Sequence, residues 1–414
     1  MSLISLSKKD TDLHGEIQLN ASKSISNRLL IIKALSPKPF NILNLSSADD
    51  TVCLEALLKD FNEEKTTFDT GAAGTTFRFL TAFFAFQIGK QILTGSKRMK
   101  QRPIGILVDA LTKLGANIIY LEKEGYPPLE IGEPMPNELN ELIIPANISS
   151  QFISALLLIA PQRRRGLKLI LDGEIVSLPY LKMTLDLMKE FGIDYTFTEN
   201  IIEVANQHYT PKDHKVESDW SAASYYYAMA ALSNDCDLSL LGLKESSIQG
   251  DSCIKDIMYN LGVTSTFKDG KLVLAKHQNK KPDFFKYDFT SCPDLAQTVC
   301  VTLACLGISA SLTGLSTLRI KETDRIEALK NELEKVAVKL EVSQDSILQE
   351  GAVFNKKDTT VTFETYEDHR MAMAFACIAL LTNIRIAEPE VVKKSYPQFW
   401  ADLNHLGFNI LKES

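Results

Sequence analysis

The sequence has no Cys-x-x-Cys pair among its seven cysteines, and the number is odd. A disulfide framework is therefore not expected. Reduced thiols packed as small hydrophobes are. No His/Cys cluster has metal-ligand spacing, and no Gly-rich dinucleotide or P-loop sequence occurs. Neither a metal nor a nucleotide is implied. There is no basic excess, since 45 Lys and Arg against 52 Asp and Glu leave a net charge of −7. This argues against a nucleic-acid partner held by a global basic field. The longest apolar run, Met371 to Leu381, is too short to span a bilayer. The N-terminal stretch turns charged by Lys8, without a signal-peptide segment. A cytoplasmic protein with no membrane partner is the expectation. No Pro/Gly-rich linker is present either, although 414 residues call for two or three domains.

What the chain does have is one module repeated six times, with polar residues at the same two places in each copy. The first place opens an apolar helix: Ser22 to Arg28, Ala72 to Arg78, Ser149 to Phe152, Asp219 to Ser224, Pro293 to Gln297 and Asp368 to Met371. The second follows roughly 25 residues later, within a period of roughly 50 to 77. It is a polar or basic loop after a short strand: Ser46 to Asp50, Lys97 to Arg102, Glu174 to Ser177, Glu245 to Gln249, Ile320 to Arg325 and Val392 to Tyr396.

The first helix of each copy is apolar on nearly all sides, as Tyr225 to Leu232 shows, and all-round apolarity marks burial. The second helix carries an apolar stripe and a Gly stop, as in Ile106 to Gly115. Strand-type runs follow. Each module therefore reads as buried helix, strand, loop, amphipathic helix, then strands. The fold class is α/β, with helices on one face of each sheet. Three modules enclose their buried helices in a shared core, and six make two domains with a break near Asp219. Only Asp60 to Thr70 separate the second helix of the first copy from the next copy, so a hairpin is expected to be missing there.

Helix N-termini carry unpaired N–H groups and partial positive charge. Capping alone explains Ser22 or Thr75. It does not explain Lys23, Arg28, Arg78 and Arg370 at the same ends, where cations oppose the dipole. A bound anion would be favoured by both charge and dipole. The second loops add Lys100, Arg102, Lys321, Arg325 and Lys394. Any one of these alone reads as a solvated surface charge. The set, at one module position, points to ligands with several negative charges. Asp294 and Glu322 are acids inside this cationic set, suited either to capping and ion pairing or to general acid/base work. His369 is compatible with a proton shuttle or a plain hydrogen bond.

These residues resemble the 5-enolpyruvylshikimate-3-phosphate synthases. The resemblance spans nearly the whole chain. It is carried by Lys23-Ser24-x-Ser26-Asn27-Arg28, Arg98 to Gly105, Ser149-Ser150-Gln151-Phe152, Lys321 to Arg325, and Asp368 to Ala372. It implies two similar domains, each of three βαβαββ units with buried helices enclosed by sheets, an inside-out α/β barrel. The boundaries implied are 21–219 for one domain, and 1–20 with 220–414 for the other, with the active site in the cleft between them. The implied reaction moves the enolpyruvyl group of phosphoenolpyruvate to the 5-hydroxyl of shikimate 3-phosphate and releases phosphate, a step toward chorismate and the aromatic amino acids. No metal or cofactor is implied, and a monomer is expected.

Position by position, the resemblance implies that Lys23 touches both substrates and assists phosphate departure. Ser24, Arg28, Ser149, Ser150, Ser177, Asp294 and Lys321 match shikimate-3-phosphate positions. Gly74, Arg102, Arg325, Arg370 and Lys394 match phosphoenolpyruvate positions, and Gln151 lies between the two. Asp294 is the implied base for the hydroxyl, and Glu322 the implied acid at the enolpyruvyl methylene. Closure over the ligands is implied, with the clustered cations repelling one another when no ligand is bound. The family's inhibitor glyphosate should compete at Gly74. Three positions depart from the family: Ala72 and Thr317 each stand where Asn is usual, and Leu178 where a basic residue is common. Two rival readings are the related transferase acting on UDP-N-acetylglucosamine and a non-catalytic anion-binding scaffold. The first expects a reactive Cys in the Lys97 to Arg102 loop, which has none. The second expects no acid/base pair.

Overall fold

The computed structural model describes residues 2–63, 65–147, 149–277, 281–351 and 360–413. The chain divides into two compact units. One is Ser22–Val216, and the other joins the residues up to Ala21 to those from Glu217 onward. The boundaries differ slightly from the expected 21–219, for a local reason. Ala21 forms an isolated antiparallel bridge with Ser218, and the Asp219 amide donates to the Asn20 carbonyl at 2.9 Å. Both contacts tie Ala21 and Asp219 to the C-terminal unit.

In the N-terminal unit the buried helices are α1 (Lys23–Leu35), α2 (Gly74–Phe84) and α3 (Ser150–Ile159). The Ser22 hydroxyl accepts from the Ile25 amide, and the Ser149 hydroxyl from the Gln151 amide, so each satisfies an N–H that the helix start leaves over. Phe77, Phe79, Leu80, Phe83 and Phe84 point in several directions around α2 and are all buried, as all-round apolarity requires. Two four-stranded sheets share one plan, a parallel pair extended by an antiparallel hairpin. One orders Thr67–Asp69, Gln91–Thr94, Leu129–Gly132 and Asn117–Tyr120; the other orders Glu141–Pro145, Leu167–Asp172, Ile201–Val204 and Tyr195–Thr198. Among the described residues, the third sheet of this unit has only its parallel pair, His214–Lys215 with Ile42–Leu43. The missing strands are the hairpin that the short Asp60 to Thr70 segment has no length to build.

In the C-terminal unit the buried helices are α4 (Trp220–Leu232), α5 (Ala296–Leu306) and α6 (His369–Ala376). Twelve of the thirteen residues of α4 and all eight of α6 are buried. The α6 helix is shorter than its apolar run, which tightens into a 3-10 turn over Cys377–Leu380. Asp219 caps α4 by accepting from the Ala222 amide at 3.1 Å, and Asp368 caps α6 by accepting from the Arg370 amide at 2.8 Å. All three sheets have four strands on the same plan. In one of them the hairpin place is filled by Phe408–Glu413 and Leu3–Lys8, paired antiparallel from Leu3↔Glu413 to Lys8↔Phe408. The polar loops expected after the strands contain, overlap or adjoin short 3-10 turns, at Met99–Gln101, Gly250–Cys253, Ser316–Ile320 and Pro389–Lys394.

Candidate active site

In the N-terminal unit, Arg28 organises one cluster. It is 3% exposed, and its guanidinium donates to Thr184 Oγ1 at 2.7 Å, Ser24 O at 2.9 Å, and Ser154 Oγ and Tyr180 O at 3.2 Å. These bonds tie α1 to α3 and to the helix Leu178–Glu190, which starts just after Ser177. Ser177 is itself buried in a left-handed conformation, φ 59°, an uncommon backbone for a non-glycine residue. None of the four acceptors is a carboxylate, so burial lowers Arg28 to about 10 and its charge stays uncompensated. A buried cation at a helix N-terminus leaves positive potential for an anion. Arg28 thus also braces the interior, a role its sequence position did not reveal. Lys23, beside it on α1, reaches Asp50 Oδ2 at 3.2 Å.

A second N-terminal cluster joins Gly74 and Arg102. A Cβ on Gly74 would lie 2.5 to 2.9 Å from the Arg102 guanidinium, so only glycine allows this approach. Arg102 is 6% exposed. Arg78 donates to Gly74 O at 2.9 Å and so braces the same helix start. Lys100 instead pairs with Glu122 at 2.5 Å, an ordinary surface ion pair.

In the C-terminal unit, Asp294, Lys321, Glu322, Arg325, Arg370 and Lys394 form one connected network. Asp294 sits in the 3-10 turn Pro293–Leu295 that leads into α5. Its Oδ1 accepts from Arg325 Nη1 at 3.1 Å and lies 3.7 Å from Lys321 Nζ; its Oδ2 accepts from Arg370 Nη2 at 2.8 Å. Glu322 accepts from Arg325 Nη2 at 2.9 Å and from Lys394 Nζ at 2.8 Å. One guanidinium therefore holds both carboxylates. Burial alone would raise the pKa of Asp294, but Arg370, then Lys321 and Arg325, outweigh it and hold the group well below the usual carboxylate range.

Asp368 was not singled out from the sequence. It is fully buried, caps α6, and accepts from Arg325 Nε at 2.7 Å. Its place at the opening of the sixth apolar helix was the signal that could have found it. His369 is 2% exposed, with Nδ1 3.6 Å from Asp368 Oδ1. The repulsion expected among clustered cations without ligand is offset within this unit. Asp294, Glu322 and Asp368 are interleaved with them and neutralise most of that repulsion. Thr317 is 8% exposed, and its Oγ1 has no hydrogen-bond partner within the described protein. Among the described residues no group of His, Cys, Asp and Glu is arranged to hold a metal ion, and no helix is long and apolar enough to cross a membrane.

Solved structures share this architecture. EPSP synthase from Acinetobacter baumannii superposes with a TM-score of 0.78 at 20% identity, covering 100% of both chains. The enolpyruvyl transferase NikO from Streptomyces tendae gives 0.76 at 13% identity, over 100% of this chain and 99% of that one. The fold is that of the enolpyruvyl transferases. Among curated relatives, the 3-phosphoshikimate 1-carboxyvinyltransferase of Bacteroides fragilis (strain ATCC 25285) is 47% identical over 97% of each chain. That of Vibrio campbellii is 35% identical over 95% of this chain and 97% of its own. Residues 52–403 match the family description EPSP synthase (3-phosphoshikimate 1-carboxyvinyltransferase), and the chain belongs to that family.

Proposed function

We propose that this enzyme transfers the enolpyruvyl group of phosphoenolpyruvate to the 5-hydroxyl of shikimate 3-phosphate, through the residues described above. The observation that carries the reading is the pair Asp294 and Glu322, fixed 2.9 to 3.1 Å from the two ends of the Arg325 guanidinium. Addition–elimination needs a base, an acid and cations for departing phosphate.

In the addition step the 5-hydroxyl oxygen bonds to C2 of phosphoenolpyruvate. Its proton passes to Asp294, and C3 takes a proton from Glu322. In the elimination step C3 returns a proton, the C2–O bond to phosphate breaks, and inorganic phosphate leaves, assisted by Lys23. Shikimate 3-phosphate is held by Lys23, Ser24, Arg28, Ser149, Ser150, Gln151, Ser177, Asp294 and Lys321, with Thr317 in place of the usual amide. Phosphoenolpyruvate is held by Lys23, Gly74, Arg102, Gln151, Arg325, Arg370 and Lys394.

Asp294 is a weak base while Arg370 and Arg325 hold it. The phosphate and carboxylate of phosphoenolpyruvate compete for those guanidinium groups, so binding the second substrate restores the basicity that the first step needs. The test is phosphate release by the purified protein. Release that depends on both substrates is expected; none with both present would overturn the reading.

A further inference from the structure

Arg370 makes two kinds of contact. The strong ones go to Asp294. The longer ones run from Nη1 to the Tyr225 hydroxyl at 3.5 Å and from Nη2 to Ser221 Oγ at 3.4 Å. Ser221 lies in the first turn of α4, and its hydroxyl donates to Asp251 Oδ2. Asp251 is 3% exposed and belongs to the 3-10 turn Gly250–Cys253. The preceding Gln249 fastens that turn to the start of α4. Its Oε1 accepts from the Trp220 amide at 3.2 Å, and its Nε2 donates to Ser218 O at 2.8 Å.

A serine hydroxyl has one proton. Once that proton is committed to the buried Asp251, only lone pairs remain to face Arg370. We infer that Ser221 and Asp251 are positioning residues for phosphoenolpyruvate, with Asp251 fixing Ser221 as an acceptor that keeps the Arg370 guanidinium aimed when ligand draws it from Asp294. This inference rests on the proposed role of Arg370. Neither residue touches the reacting atoms. Without Asp251, the Ser221 hydroxyl is free to rotate and point its proton at the guanidinium, which turns an acceptor into a repulsive dipole.

The experiment compares steady-state kinetics and urea unfolding of the full chain with Ser221→Ala, Ser221→Thr, Asp251→Asn and the Ser221→Ala/Asp251→Asn double variant. Ser221→Ala and Asp251→Asn should each raise KM for phosphoenolpyruvate about fivefold, the loss of one hydrogen bond to a charged group. KM for shikimate 3-phosphate should stay within about twofold; Ser221→Ala should unfold at somewhat lower urea, because it takes a donor from the buried Asp251, whereas Asp251→Asn should not. Ser221→Thr, which keeps the hydroxyl, should restore the wild-type KM. The double variant should match Ser221→Ala in KM for phosphoenolpyruvate, because Asp251 orients the guanidinium through Ser221. An unchanged or lowered KM for phosphoenolpyruvate in Asp251→Asn would overturn the inference, the lowered value showing that the carboxylate acts only as a repelling charge. Additive effects on KM in the double variant, or a lower unfolding midpoint in Asp251→Asn, would overturn it too. A wild-type protein without turnover would overturn the functional reading and this inference together.

Discussion

Arg370 grips Asp294 twice, through Nη2 to the carboxylate at 2.8 Å and through Nη1 to the main-chain carbonyl at 3.2 Å. The side chain proposed to hold phosphoenolpyruvate thus also fixes where the proposed base stands. Any ligand that pulls on Arg370 changes the charge felt by Asp294.

Replacing Asp294 by Asn keeps the shape and removes the base. Turnover should fall by about 10²- to 10⁴-fold, the usual weight of a general base. KM for phosphoenolpyruvate should not rise, because Arg370 and Arg325 lose a competing carboxylate. Steady-state phosphate release checks both, and unchanged turnover would remove Asp294 from the chemistry.

Gly74→Ala places a methyl group where the Arg102 guanidinium now lies, 2.5 to 2.9 Å from its atoms. The side chain can swing away, so folding should survive. KM for phosphoenolpyruvate should rise about fivefold, roughly 1 kcal/mol, with turnover nearly unchanged. An unaltered KM would mean that Arg102 does not hold this substrate.

Arg325→Ala should destabilise the fold by about 3 to 5 kcal/mol in urea unfolding, because it strands the fully buried Asp368 without its cation. Glu322 keeps Lys394, and Asp294 keeps Arg370. Removing Asp368 as well should therefore recover part of the loss. A double variant less stable than Arg325→Ala would contradict this.

Asp251 titrates in an unusual direction. Burial first, then the charge of Asp294, push it from 3.8 up to about 6. The raised group favours its protonated form in the fold, so its stabilisation is full below about pH 4 and is lost as pH rises through about 6. The loss is roughly 3 kcal/mol. Asp251→Asn cannot ionise. Its stability relative to wild type should climb between about pH 4 and 7 and then level off, as urea midpoints across that range would show. A pH-independent difference would refute the shift.

The six-copy pattern and the short first copy were legible because repeats write the same apolar and polar periods again and again. The six C-terminal residues were legible as candidates because their charges recur at the two polar places of the module. Their pairing was not. Arg325 meets Asp368 across 43 positions of the chain, and Arg370 meets Asp294 across 76, separations that leave no local trace. Arg28 shows a second limit. A cation at a helix start reads as a ligand contact, and nothing nearby in sequence says that Thr184 and Tyr180 already surround it. The 3-10 turns were hidden because a tight turn has no apolar period of its own.

Leu3 and Glu413 face each other where every other four-stranded sheet has a hairpin turn. Hydrogen bonds already hold those two strands in register, so the sheet does not depend on where the backbone is interrupted. A circular permutant could carry a short turn from residue 413 to residue 3 and be reopened at the exposed Asp269–Gly270 turn, which joins the equivalent hairpin of another sheet in the same unit. Such a chain should fold and release phosphate at close to the wild-type rate, and a permutant that folds but is inactive would show that the opened turn matters for more than connection.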